Sequence, residues 1–162
     1  MVVQYLGLVV DQQLLDFLND TKKSQPAKLN EAMKILLIMD RLLATHPNRQ
    51  LKEWIDFARG WGDNSEEKDY YEANAKRLLT TWGGDPVNDY SGRIWSGLIR
   101  DYYVPRWKNY HGDGSNDKKQ NMRNREEQWI TSPGVPDIKP YNNPLSKAIE
   151  IFNTYKNSLS EN

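Results

Sequence analysis

Catalysis near neutral pH draws on a short set of side chains, and this chain offers few of them in working combinations. Its only histidines, His46 and His111, stand outside any cluster of ligand-type residues. Both read as helix-end residues rather than metal or acid–base groups. The absence of cysteine removes disulfides and thiolate metal sites. Ser91 and Ser96 lie near glycines but have no base partner at a recognisable spacing. WGGD and SGLI lack the preceding strand that a phosphate-binding loop needs. A glycosidase-type carboxylate pair needs two acids roughly 5 to 10 Å apart. Asp89 and Asp101 stand twelve residues apart on one expected helix, or about 18 Å at 1.5 Å per residue. Asp89 therefore reads as a helix cap, and Asp101 as a surface partner of Arg100 or Arg106. The residues alone point to no catalytic group, no metal and no cofactor.

One stretch does suggest binding. In Trp82-Gly83-Gly84-Asp85-Pro86-Val87-Asn88-Asp89-Tyr90, an aromatic ring stands at each edge of a turn. A flat ring at a loop rim can cover the C–H face of a pyranose, while an indole N–H or phenol O–H reaches a hydroxyl. Spacing alone leaves core packing as the simpler reading, with sugar contact open beside it.

Composition narrows the partners. Lysine plus arginine balance aspartate plus glutamate, for a formal net charge of zero. Nothing electrostatic then favours nucleic acid or an anionic membrane. The basic run KKQNMRNR is followed at once by EE and carries no interleaved aromatic residues, so it reads as a solvated helix face. No apolar run approaches the roughly 20 residues of a membrane-spanning helix. The start MVVQYLGLVVDQQ lacks the basic region and small-residue cleavage site of a signal peptide.

The elements that would position the aromatic loop are helical. Val10, Leu14, Leu15, Phe17 and Leu18 follow a 3.6-residue period, and Pro26 suits the first turn of a second helix. That helix carries the stripe Leu29, Ala32, Met33, Leu36, Met39 and Leu43 and ends before Pro47. LKEWIDFARGW is a shorter helix stopped by glycines. Asn64 with Glu67 forms a capping-box pattern ahead of a helix bearing Tyr71, Asn74, Ala75, Leu78, Leu79 and Trp82. Asp89 is expected to cap a helix with the stripe Ile94, Trp95, Leu98, Ile99, Tyr102 and Tyr103, kinked or ended by Pro105. A charged helix with Met122, Trp129 and Ile130 follows. Beyond the proline-rich SPGVPDIKPYNNP lies a last helix with Leu145, Ile149, Phe152 and Tyr155 in register. The expected fold is an all-α bundle of six to seven helices in a single domain spanning 1–162.

LLATHPNRQLKEWIDFARGWG, EKDYYEANAKRLLTTWG and DYSGRIWSGLIRDYYVPRW together resemble the C-terminal helical domain of the α-N-acetylglucosaminidases. The likeness runs from about residue 29 to 110 and continues more weakly through EEQWITSPG and the final helix. The resemblance implies a retaining glycoside hydrolase that removes terminal α-linked N-acetylglucosamine with two glutamates carried on a (β/α)8 barrel. It implies that this domain packs on that barrel and lends an aromatic wall to the sugar pocket. Trp82 and Tyr90 match the family's wall residues, and Val87 its neighbouring apolar one. Lysosomal, periplasmic or extracellular action follows from the same likeness.

Several expectations result. The barrel is the partner, its glutamates lie outside this chain, and the chain alone is inactive. An apolar face normally covered by the barrel drives self-association of the isolated chain. The rival readings are a stand-alone helical carbohydrate-binding or protein-interaction module, and a plain scaffold whose Trp82 and Tyr90 rings are buried.

Overall fold

The computed structural model describes residues 1–19, 25–82, 93–112, 114 and 116–159. Among these the chain forms seven α-helices and one π-helical segment, in a single helical domain. The helices are α1 (Val2–Asn19), α2 (Gln25–Leu43), α3 (Leu51–Arg59), α4 (Ser65–Leu79), α5 (Val104–Gly112), α6 (Lys118–Thr131) and α7 (Pro144–Tyr155). The π segment, Ile99–Tyr103, leads directly into α5. Their signals are local. Pro26 sits in the first turn of α2, and Asn64 Oδ1 accepts the Glu67 N–H at 3.0 Å. The return bond of that capping box goes to the Asp63 N–H instead, which Glu67 accepts at 2.8 Å.

The core has two parts. Leu6, Val9, Val10, Leu14 and Phe17 of α1 pack on Leu29, Ala32, Met33, Ile35, Met39 and Leu42 of α2, closed by Ile99, Val104, Ile151 and Tyr155. A second cluster joins Leu51 and Ile55 of α3, Ala75 and Leu79 of α4, Leu98 and Tyr102. The π segment serves both clusters, with Ile99 turned to the first and Tyr102 to the second. Pro105 does not end this helix. In an α-helix its ring would strike the carbonyl four residues back. The turn before it is widened, and the Val104 N–H reaches the Ile99 carbonyl five residues back.

The start of that helix differs from the sequence expectation. Residues 93–97 are not helical, so Ile94 and Trp95 belong to no helical stripe, and Ile94 is exposed. Ser96 instead pairs with the chain before α3: its N–H donates to the Arg49 carbonyl at 2.7 Å, and the Leu51 N–H donates to its carbonyl at 2.8 Å. Gly97 follows at φ 87°, and an added Cβ there would lie 3.1 Å from Leu51 Cβ. Only glycine meets both conditions without strain.

Three helices are also rotated from the apolar stripes read in the sequence. On α1, Leu15 and Leu18 are exposed; on α7, Leu145, Ile149 and Phe152 are exposed while Ile151 and Tyr155 are buried. Tyr155 fixes that setting. Its O–H donates to Glu31 on α2, and its carbonyl accepts from Tyr5 O–H at 2.9 Å. Burial and the Glu31 carboxylate push the Tyr155 phenol up to about 12.

On α4 the inward residues are Glu72, Ala75, Lys76 and Leu79, leaving Tyr71 and Leu78 exposed. Both charges are buried. Lys76 Nζ lies 2.9 Å from Glu72 Oε1 and donates to the carbonyls of Ser132 at 2.6 Å and Gly134 at 3.1 Å. Glu72 also accepts the Gly134 N–H at 2.7 Å and pairs with Arg59 of α3. These bonds tie α4 to α3, to the end of α6 and to the proline-rich segment after it. Replacing Lys76 with methionine takes away the buried cation that faces Glu72 Oε1 and leaves the carboxylate with Arg59 alone, at an expected cost of about 3 to 5 kcal/mol. The same change at Lys52, whose pair with Asp56 is open to solvent, should cost less than about 1 kcal/mol. Urea unfolding of the two variants reads the difference.

Candidate functional site

Of the three residues expected at a sugar pocket, Val87 and Tyr90 lie outside the described residues, as do Asp89 and Ser91. Trp82 is described. It follows the end of α4, where its N–H donates to the Arg77 carbonyl at 2.7 Å, a bond that closes the helix terminus. Its φ is 52°, the left-handed region. Among the described residues no other non-glycine residue has positive φ. A Cβ in that region costs roughly 1 to 2 kcal/mol, and the residue is 43% exposed rather than packed in the core.

Trp82 faces an open cleft of about 680 Å³. Leu78 and Leu79 of α4 continue its wall beside Trp82, and Trp54 of α3 and Trp95 form another part. Trp54 is fixed by its indole N–H, which donates to the Ala75 carbonyl at 3.2 Å, and its ring meets Trp95 edge to face with centroids 6.0 Å apart. His46, Asn48, Arg49 and Arg93 complete the described lining. No carboxylate is among them.

The segment that carries Arg93 and Trp95 is held from behind by Asp40 of α2. Oδ1 accepts the Gly97 N–H at 2.7 Å, and Oδ2 accepts Arg100 Nε–H at 3.0 Å. Asp40 is fully buried, whereas Arg100 stays partly open to solvent. Burial therefore outweighs the hydrogen bonds and pushes the Asp40 carboxyl above its ordinary 3.8.

A family model for the alpha-N-acetylglucosaminidase C-terminal domain matches residues 1–154. The chain belongs to this family. The human alpha-N-acetylglucosaminidase is 35% identical over 78 residues, which are 48% of this chain and 10% of that protein. The fold is similar to that of a family 89 glycoside hydrolase from Clostridium perfringens solved with PUGNAc. That match has a TM-score of 0.78 at 24% identity and covers 99% of this chain but 20% of the other. A second structure of that enzyme, holding its substrate GlcNAc-alpha-1,4-galactose, gives a TM-score of 0.74 at 24% identity, covering 94% and 20% of the two chains. The chain thus spans about a tenth to a fifth of the length of these relatives.

Within this member of the family, sequence reasoning missed Trp54, Trp95, Arg49 and Arg93 as cleft residues. Trp95 falls at helical spacing with Leu98, Ile99 and Tyr102, and the two arginines carry no local signal. Asp101 also departs from its expected surface pairing: its Oδ2 accepts the Trp129 indole N–H at 2.7 Å. Among the described residues no cluster of metal-ligating side chains occurs, and no helix is long and apolar enough to cross a membrane.

Two outcomes are expected. Glycine is at ease where Trp82 sits and alanine is not, so Trp82→Gly should be more stable than Trp82→Ala by about 1 kcal/mol. Paired thermal melts measure this, and an alanine variant of equal or higher stability would contradict the strained setting. For Asp40 the folded value lies above the unfolded one. The stability owed to its protonated form is complete below pH 3.8 and is lost as pH rises through the raised value. Asp40→Asn does not ionise, so its melting temperature should fall less than that of the parent chain as pH rises from 3.8 towards neutrality.

Proposed function

We propose that this chain is the helical domain of an α-N-acetylglucosaminidase-type glycoside hydrolase, packed on a catalytic barrel and lending it one wall of the sugar pocket. Trp82 is the wall residue, with Tyr90 and Val87 assigned beside it by the family pattern. The observation that carries this reading is a strained, solvent-facing tryptophan beside a cleft whose described lining holds no carboxylate. Two-carboxylate hydrolysis needs both acids at the scissile bond. By the family pattern those acids sit on the barrel, and this domain shapes the pocket beside them.

The outward line of α4 supports the same arrangement. Tyr71 and Leu78 are exposed on α4, seven residues apart and so on one face of the helix, and Trp82, just beyond its end, is exposed as well. Phe57 and Trp61, in edge contact with centroids 6.2 Å apart, are exposed at the end of α3. Soluble monomers rarely leave such large apolar side chains uncovered together. The barrel is the occupant proposed for this face. In the isolated chain the same face is proposed to drive self-association, seen as concentration-dependent light scattering that joining to a barrel abolishes.

The experiment has two arms. The purified chain should show no turnover of an aryl α-N-acetylglucosaminide above a blank. In an enzyme that joins this chain to a family barrel, Trp82→Ala should lower kcat/KM about 10- to 100-fold, or about 1.4 to 2.7 kcal/mol. Turnover by the chain alone, or an unchanged kcat/KM in the joined variant, overturns the reading. The alternative is a stand-alone carbohydrate-binding module, favoured by a cleft whose three tryptophans all come from this chain. It predicts N-acetylglucosamine binding by the isolated chain that Trp82→Ala removes.

A further inference from the structure

The cleft is larger than a terminal sugar requires. Its volume of about 680 Å³ lies well inside the roughly 300 to 1,000 Å³ that accommodates multi-ring ligands. Trp82 occupies one part, at the end of α4. The other part is built from elements remote in sequence, the turn before α3, α3 itself and residues 93–95.

This second part has the features of a prepared surface. Trp95 is only half-buried, yet its ring is braced edge-on by Trp54, and Trp54 is pinned to the Ala75 carbonyl. Its backbone neighbour Ser96 is bonded on both sides to residues 49 and 51. Arg49 and Arg93 are exposed at its rim. Among the described residues neither guanidinium has a carboxylate partner. A rigid aromatic plate flanked by guanidinium forks fits a sugar ring: the plate covers a C–H face and the forks donate to ring hydroxyls.

We infer that Trp95, with Arg49 and Arg93, forms a subsite for the sugar on the reducing side of the terminal N-acetylglucosamine. The inference rests on the proposed function for its placement next to Trp82. It differs in one respect: its described parts come from this chain alone, so it needs no barrel to be occupied. The domain would then contribute to the choice of glycan as well as to the pocket wall.

Saturation-transfer NMR of the full chain with GlcNAc-α-1,4-galactose tests this. The galactose protons should be saturated, and more strongly than the N-acetylglucosamine protons, whose pocket lacks its barrel half. Arg93→Ala alters an exposed side chain and Trp95→Leu keeps apolar bulk against the core while removing the flat ring, so both should fold, as thermal melts will check. Each should reduce galactose saturation at least threefold, while Lys147→Ala, on α7 and outside the cleft lining, leaves it unchanged. Absence of galactose saturation, or saturation that survives both variants, overturns the subsite. The wall reading is scored separately, by kcat/KM of the barrel-joined Trp82→Ala enzyme, and stands or falls independently of this result.

Discussion

The setting of α4 depends on one buried ion pair. Lys76 has three N–H donors, and Glu72 Oε1, the Ser132 carbonyl and the Gly134 carbonyl lie 2.6 to 3.1 Å from its nitrogen. Removing an ammonium and a carboxylate from water is costly, and attraction between them offsets that cost only when every donor and lone pair finds a partner. Here the partners are the carbonyl of the residue that caps α6 and one in the proline-rich segment just after it, groups with no partner inside a helix. Each side solves the other's problem. Once 72, 75, 76 and 79 face inward, helical geometry turns 71 and 78 outward. The exposure of the outer face of α4, and the edge of the cleft at Leu78, follow from that pair, while Trp82 is set by the left-handed turn that closes the helix.

A second constraint sets the opposite wall. Residue 97 must be glycine because of its left-handed backbone and the closeness of Leu51. Asp40 then fixes that turn from α2, and the exchange of bonds between Ser96 and residues 49 and 51 aligns Trp95 with the start of α3. The widened turn at 99–103 lets the helix pass Pro105 without breaking, so one element fills both halves of the core. The cleft therefore lies between two rigid supports, an ion-paired helix and a carboxylate-anchored turn.

Much of the fold was legible in the sequence, because helix boundaries are written locally. Pro26, the Asn64–Glu67 box and the glycines after α3 each act within a few residues of where they stand. Helix rotation was less legible. Glu72 and Lys76 stand four apart, a spacing that usually marks a solvated pair. Nothing near them announces that the end of α6, more than fifty residues on, will surround the ammonium. The same holds for α7, where apolar periodicity favoured Leu145 and Ile149, but the bonds of Tyr155 to α1 and α2 turned Ile151 inward. Of the site, Trp82 came from the family pattern rather than from periodicity. Arg49, Trp54, Arg93 and Trp95 meet only through tertiary contacts and could not be grouped from spacing.

The position of Trp82 bears on which of the two exposed apolar regions faces a barrel. A side chain held in a left-handed backbone is retained against a steady cost, and such outliers cluster where function over-determines the conformation. Leu15 and Leu18 on α1, and Leu145 and Ile149 on α7, sit in regular helix, where apolar exposure carries no backbone penalty. The α4 face joins exposure, strain and an aromatic cleft in one place. A partner that covers Trp82 must also approach Leu78, since both line the same cleft. Under the proposed function, that continuity favours the α4 side over the α1–α7 side as the face toward the barrel.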